Sequence, residues 1–271
     1  MRFIKLAIKE EHAPKVDKFI KAPISRCSWL ALQRNLNSSA RYWSVIRVSR
    51  VEVPDIDEFY KILKLISKMG PLPDIVYHRT INMLKEVVQN ERIDRRVVYK
   101  SIIMFLELWG GLQRNTDRIE PDELTDAVRN VVNLINSTEL KELDILSADI
   151  NAVGELIKMA FKRLKAVNNI GGTGASKILH ILHPKLFIMW DKKIALSYGC
   201  KQTPEGYLKF LRKMQDMIVK LLREISMREH ITLVEARNFL ERRFNKPITK
   251  IVDEYNWLIA HRKRKERLEQ L

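Results

Sequence analysis

An all-α architecture is what this sequence predicts, and three observations carry the expectation. Apolar residues recur at helical spacing through most of the 271 residues. Nine glycines and nine prolines are too few for the many tight turns of a β-rich fold. Only Tyr42 to Val53 (YWSVIRVSRVEV) has strand character, and one short extended segment leaves the class unchanged.

The first helix is expected after Pro54-Asp55, with Phe59, Ile62, Leu63 and Ile66 on one face and Gly70-Pro71-Leu72-Pro73 as its stop. Helices follow from about Asp74 to Gln89, from Asp94 to Trp109, and from Pro121 to Ile135. In the last of these, Pro121 needs no N–H partner and Asp122-Glu123 suit the positive end of the helix dipole. A fifth helix covers about Asp149 to Val167 and a sixth Ala175 to His183. Beyond Pro204 three more patterns span about 204 to 227, 232 to 244 and 247 to 269. The first of them repeats Leu208, Leu211, Met214, Ile218 and Leu221-Leu222, a core-facing stripe. The last closes on His261-Arg262-Lys263-Arg264-Lys265, either a solvated basic face or a phosphate contact. With no internal repeat and no low-complexity linker, residues 1–271 read as a single compact unit with two helical lobes.

The balance of 49 Lys and Arg against 33 Asp and Glu gives a formal charge of +16, which points first to nucleic acid as partner. An anionic membrane surface or a basic scaffold are the other destinations of such charge. Cys27 and Cys200 are too few for a disulfide framework or a locally ligated iron–sulfur cluster, so a reducing intracellular setting is expected, cytoplasmic or nucleoid-associated. Lys9, Glu10 and Glu11 come too early for a signal peptide, and no apolar run approaches the ~18 residues of a membrane span. The six histidines show no His-x-x-x-His spacing, and the pair His180 and His183 has no cysteine near it; no metal and no cofactor are expected. Neither a phosphate-binding loop after a strand nor a nucleophile elbow is present.

Between Glu155 and Glu205 the only carboxylate is Asp191, set among nine Lys and Arg residues, Lys158 through Lys201. The same window holds the glycine cluster Gly171-Gly172-Thr173-Gly174, which joins one helix to the next. Glycines permit a tight turn, and the following helix N-terminus offers N–H groups to a phosphate; the alternative is a plain helix stop and turn. Leu186-Phe187-Ile188-Met189-Trp190 should be buried and should hold Asp191 at the start of the next helix as its N-cap. Lys177 and His180 fall on one side of the intervening helix, which is either a polar stripe turned to Asp191 or a solvated one.

Over residues 170–198 the glycine hairpin, the helix, the short apolar segment and the helix-opening aspartate resemble the helix-hairpin-helix DNA glycosylase superfamily, which includes endonuclease III and the 8-oxoguanine and adenine-mismatch glycosylases. The Leu-Pro-Gly-(Val/Ile)-Gly opening and the cluster cysteines of endonuclease III are absent. The family's lyase lysine falls near Thr173 or Gly174, with Lys177 one turn further on. The resemblance implies a two-lobed fold with a hairpin and catalytic segment at 168–199. It places Asp191 as the catalytic carboxylate; Lys177, off the family's lysine position by one turn, is the candidate for a lyase nucleophile, against the alternative of a solvated helical lysine. Gly171, Gly172, Thr173, Gly174, Ser176, Lys192 and Lys193 become DNA contacts, with Trp190, His180 and Trp109 as candidates for a base pocket. By its residues alone, Trp109 to Asn115 reads either as a polar loop lining a cleft or as a helix stop with a polar turn. The implied activity is base excision repair, cleavage of the N-glycosidic bond of a damaged or mispaired base in double-stranded DNA by a monomer with no membrane association. The alternative is a non-catalytic helical DNA- or RNA-binding protein that uses the hairpin for phosphate contact.

Overall fold

The computed structural model describes residues 54–90, 94–109, 118–261 and 266; the extended segment expected at 42–53, the loop after Trp109 and the basic run after His261 lie outside these residues. All described residues belong to one compact unit running from Val48 to Leu271. Within it the secondary structure is helical throughout, with no strand among the described residues.

Helix α1 (Ile56–Ser67) begins where Asp55 accepts the backbone N–H groups of Asp57 and Glu58 at 2.9 and 3.1 Å, which satisfies two of the donors every helix start leaves open. Helix α2 is Leu72–Asn90, and α3 (Arg95–Leu108) repeats the aspartate cap with Asp94. Helix α4 (Pro121–Asn136) takes Pro121 in its first turn as expected, and a 3₁₀ turn, Glu139–Glu142, follows it. Helix α5 (Gly154–Lys165) starts later than the sequence suggests because the Asp149 carboxylate takes Asn151 N and Ala152 N and folds residues 149–153 into turns. Helix α6 (Gly172–Leu182) starts earlier and absorbs Gly172 and Gly174. The short α7 (Lys192–Ser197) precedes α8 (Pro204–Glu229), α9 (Leu233–Phe244) with its Thr232/Glu235 capping box, and α10 (Ile248–Ala260).

Two helices are wrapped on nearly every side. Along α6 every residue except Thr173 is buried, under α5, α2 and α3; along α10 the run Ile248 to Asn256 is buried, under α1, α7, α8 and α9. An amphipathic helix exposes one face, so charged groups on an all-buried helix must find partners inside the protein. Lys177 on α6 and Lys250, Asp253 and Glu254 on α10 are such groups; Lys177, Asp253 and Glu254 line one cavity, and Lys250 is enclosed beside the Trp109 ring.

Candidate active site

Asp191 is held from three directions. The five residues before it, Leu186 to Trp190, are buried, as the apolar run predicts. They are tied to α6: the Trp190 N–H donates to Ser176 Oγ at 3.2 Å and the Trp190 indole N–H to the Gly172 carbonyl at 3.0 Å. The Asp191 carboxylate then caps α7, with Oδ1 accepting from the Ile194 N–H at 2.8 Å, and Oδ2 lies 2.7 Å from Nε2 of His261 at the end of α10. The carboxylate is 21 % exposed and the imidazole 23 %, so both meet solvent at the wall of a cavity of about 1020 Å³.

That cavity lies among α1, α6, α7 and α10 and the entry to α2. Lys177 enters its wall from α6, buried, with Nζ donating to the backbone carbonyl of Trp109. Burial pushes the Lys177 amine down to about 8; Asp253 and Asp191 resist that shift and Lys250 adds to it. Lys250, with no exposed surface, puts Nζ 2.8 Å from Asp253 and 3.0 Å from Glu254, and 3.7 Å from the centre of a Trp109 ring. Lys246 extends the chain of charges from Glu254 at 2.9 Å to Asp74 at 2.7 Å on α2. Burial pushes the Lys250 ammonium down, but Asp253 and Glu254 outweigh it and hold the group above the ordinary lysine range. Burial raises the Asp253 carboxyl in spite of Lys250, whereas for Glu254 the attraction of Lys250 and Lys246 overcomes burial and lowers it. Cations and carboxylates thus alternate from Asp74 through Lys246, Glu254 and Lys250 to Asp253.

The site residues expected from sequence divide into two groups. Asp191, Lys177, Trp109, Thr173, Lys192 and Lys193 line one cavity, with Lys192 and Lys193 exposed beside Asp191. His180 does not join them. Its ring is wholly buried between the Tyr77 hydroxyl, at 2.9 Å from Nε2, and the Phe187 carbonyl, at 2.7 Å from Nδ1. Burial holds it down at about 3, so Nδ1–H donates to Phe187 and Nε2 accepts from Tyr77. The polar stripe expected on α6 is covered by α2 rather than open. Trp190 borders the cavity, but its ring is core, packed on Phe161, Tyr207 and Phe210.

The hairpin itself differs from a phosphate cradle. Ser176 is buried, its hydroxyl 2.9 Å from the Thr173 carbonyl and 3.2 Å from that of Trp190, so it has no surface to offer DNA. Gly172 is needed for close approach: a Cβ there would stand 2.9 Å from Gln202 Cβ and 3.5 Å from the Phe161 ring. Gln202 also donates to Thr173 Oγ1 at 2.8 Å, and Gly174 is buried, which leaves Gly171 as the exposed glycine of the cluster. At the turn Asn169 adopts φ +63°, and the Asn168 N–H and Nδ2 donate to Glu123 at 3.0 and 3.3 Å, so a carboxylate already stands at the hairpin tip. The exposed cations next to Asp191 at the cavity are Lys192 and Lys193.

Lys246, Asp253, Glu254, Trp257 and His261 complete the cavity lining, and Lys250 packs on the Trp109 ring that borders it; of these the sequence marks only His261, as the start of the basic run. The available signal was the i, i+3, i+4 spacing of Lys250, Asp253 and Glu254 inside the otherwise apolar ITKIVDEYNWLIA. Among the described residues no group of three or more His, Cys, Asp or Glu side chains is placed to hold a metal ion, and no helix is long and apolar enough to cross a membrane. No protein-family model, curated protein or solved structure matches this chain.

The lowered Lys177 amine has a measurable consequence. Between pH 8 and 10.5 the unfolded chain holds a proton on this lysine that the folded chain has lost, so folding stability gains with rising pH across that window. Lys177→Met lacks that gain, and the difference between the two pH–stability curves, on the order of 3 kcal/mol, is measured by urea unfolding. Parallel curves would place the Lys177 ammonium in contact with solvent.

Proposed function

We propose that this protein is a DNA glycosylase-like enzyme that cleaves the N-glycosidic bond of a damaged or mispaired base. The observation that carries the reading is Asp191, fixed by its cap bond and by His261 at the wall of a cavity large enough for an extruded base. Loss of the base builds positive charge on the sugar, and a carboxylate that does not have to reorganise stabilises that charge as it forms.

The net charge of +16 supports a duplex partner, with Lys192 and Lys193 at the cavity mouth. If both contact phosphate, replacing them with Ala lowers the slope of log K against log salt by about 2 without changing lesion preference, as read by fluorescence anisotropy. An unchanged slope removes them from the interface. The non-catalytic alternative needs the hairpin as its phosphate contact, and it has less support: Ser176, Gly172 and Gly174 are buried and Glu123 stands at the turn.

The reading is tested by incubating the protein with duplexes carrying single oxidised, deaminated, alkylated or mispaired bases and measuring free base. Release from at least one is expected; release from none leaves only a basic helical binder. Lys177, with its amine lowered to about 8, is suited to attack the sugar and form a Schiff base. Borohydride trapping is expected to rise with pH to a plateau above about 8 and to vanish in Lys177→Ala. An adduct that survives the substitution removes Lys177 from the mechanism.

A further inference from the structure

Both oxygens of Asp191 are already engaged, Oδ1 by the Ile194 N–H and Oδ2 by His261 Nε2. A carboxylate so placed can stabilise positive charge, but it is poorly placed to take a proton from an attacking water. The imidazole has the complementary property. Donation from Nε2–H to Asp191 fixes the tautomer and leaves the Nδ1 lone pair, which accepts no hydrogen bond from any described residue, on a side chain that lines the cavity. The ring plane is set as well, because His261 stacks on Trp257 one helical turn earlier, with centroids 5.1 Å apart and planes 26° from parallel. A buried lysine, Lys177, lines the same cavity.

We infer that His261 is the general base of a hydrolytic route in this site, oriented by Asp191 in a carboxylate–imidazole dyad; the inference rests on the glycosylase reading above. Water attacks the sugar C1′ as the C1′–N bond breaks. The bonding pair leaves with the base, one water proton passes to His261 Nδ1, and the departing base nitrogen recovers a proton from the imidazolium or from solvent. Asp191 stabilises the sugar cation and the imidazolium in turn. Lys177 then serves the separate lyase step on the resulting aldehyde.

His261→Gln separates the two roles of the imidazole, because the Gln amide can still donate to Asp191 Oδ2 but cannot take a proton. In single-turnover assays on whichever duplex wild type processes, base release is expected to fall about 10²- to 10⁴-fold while duplex affinity and the thermal midpoint stay close to wild type. In His261→Ala, added imidazole is expected to restore part of the rate, a response that a merely structural side chain would not give. Release by His261→Gln at the wild-type rate, or His261→Ala that is impaired yet unresponsive to imidazole, overturns the general-base role while leaving the glycosylase reading in place. Absence of release by wild type on every duplex overturns both.

Discussion

Asp191→Asn is expected to lower the rate of base release by about 10²- to 10³-fold while leaving duplex affinity within about twofold of wild type, the scale on which removal of one preorganised electrostatic group acts. The substitution is selective for a physical reason. Asn is as good an N-cap as Asp, so the bond from the Ile194 N–H and the start of α7 survive, and the side chain keeps its volume against Trp190. What is lost is the negative charge facing the cavity and the charge-assisted contact with His261. A loss in kcat with unchanged binding then measures the charge's joint contribution to the sugar cation and to the His261 imidazolium. Equal loss in affinity and rate would instead show that Asp191 organises the docking surface, and wild-type release by the variant would remove the carboxylate from the chemistry.

Much of the helical framework was legible in the chain because it depends on local signals. Asp55, Asp94, Thr203 and the Thr232/Glu235 box cap helices at or within a few residues of where the apolar periodicity begins, and Pro121 marks the start of α4. Asp191 was legible for the same reason: an apolar run followed by an aspartate and a helix is a local pattern, and the structure places that side chain as a cap. What sequence does not carry is which helix is wrapped on all sides. The stripe of Lys177 and His180 on α6 reads as a solvated face until α2 brings Tyr77 over it, whereupon His180 becomes a neutral core residue and Lys177 a buried amine. The glycines show the same limit. Their flexibility suggests a turn open to phosphate, but Gly172 is small because Gln202, thirty residues later, packs against it. The partner of Asp191 also comes from far along the chain, 70 residues on at His261, and nothing local announces it.

The charges on α10 set the second large expectation. Lys250→Met should destabilise the protein by about 3–5 kcal/mol, because the substitution leaves Asp253 and Glu254 inside the protein without the cation that contacts both. For a unit of this size that corresponds to a fall in thermal midpoint of roughly 10 °C, given about 2–4 °C per kcal/mol. The loss is not a matter of packing, since Met fills most of the lysine stem; it is the desolvation of two carboxylates whose remaining direct ion pair is Lys246 on Glu254, with Lys177 a more distant charge for Asp253. Neutralising a partner should therefore return part of it. In a double-mutant cycle, Asp253→Asn is expected to cost much less in the Lys250→Met background than in wild type, a coupling above about 1 kcal/mol. Simple additivity would mean that Lys250 and Asp253 do not share a desolvated pair. The same variant probes the site, because Lys250 lies against the Trp109 ring and Trp109 supplies the carbonyl that holds Lys177. If the ladder of charges positions that amine, Lys250→Met should also slow borohydride trapping at a temperature where the variant is fully folded. If trapping is unaffected there, the network supports the fold alone and Lys177 is positioned by α6 and the Trp109 carbonyl without it.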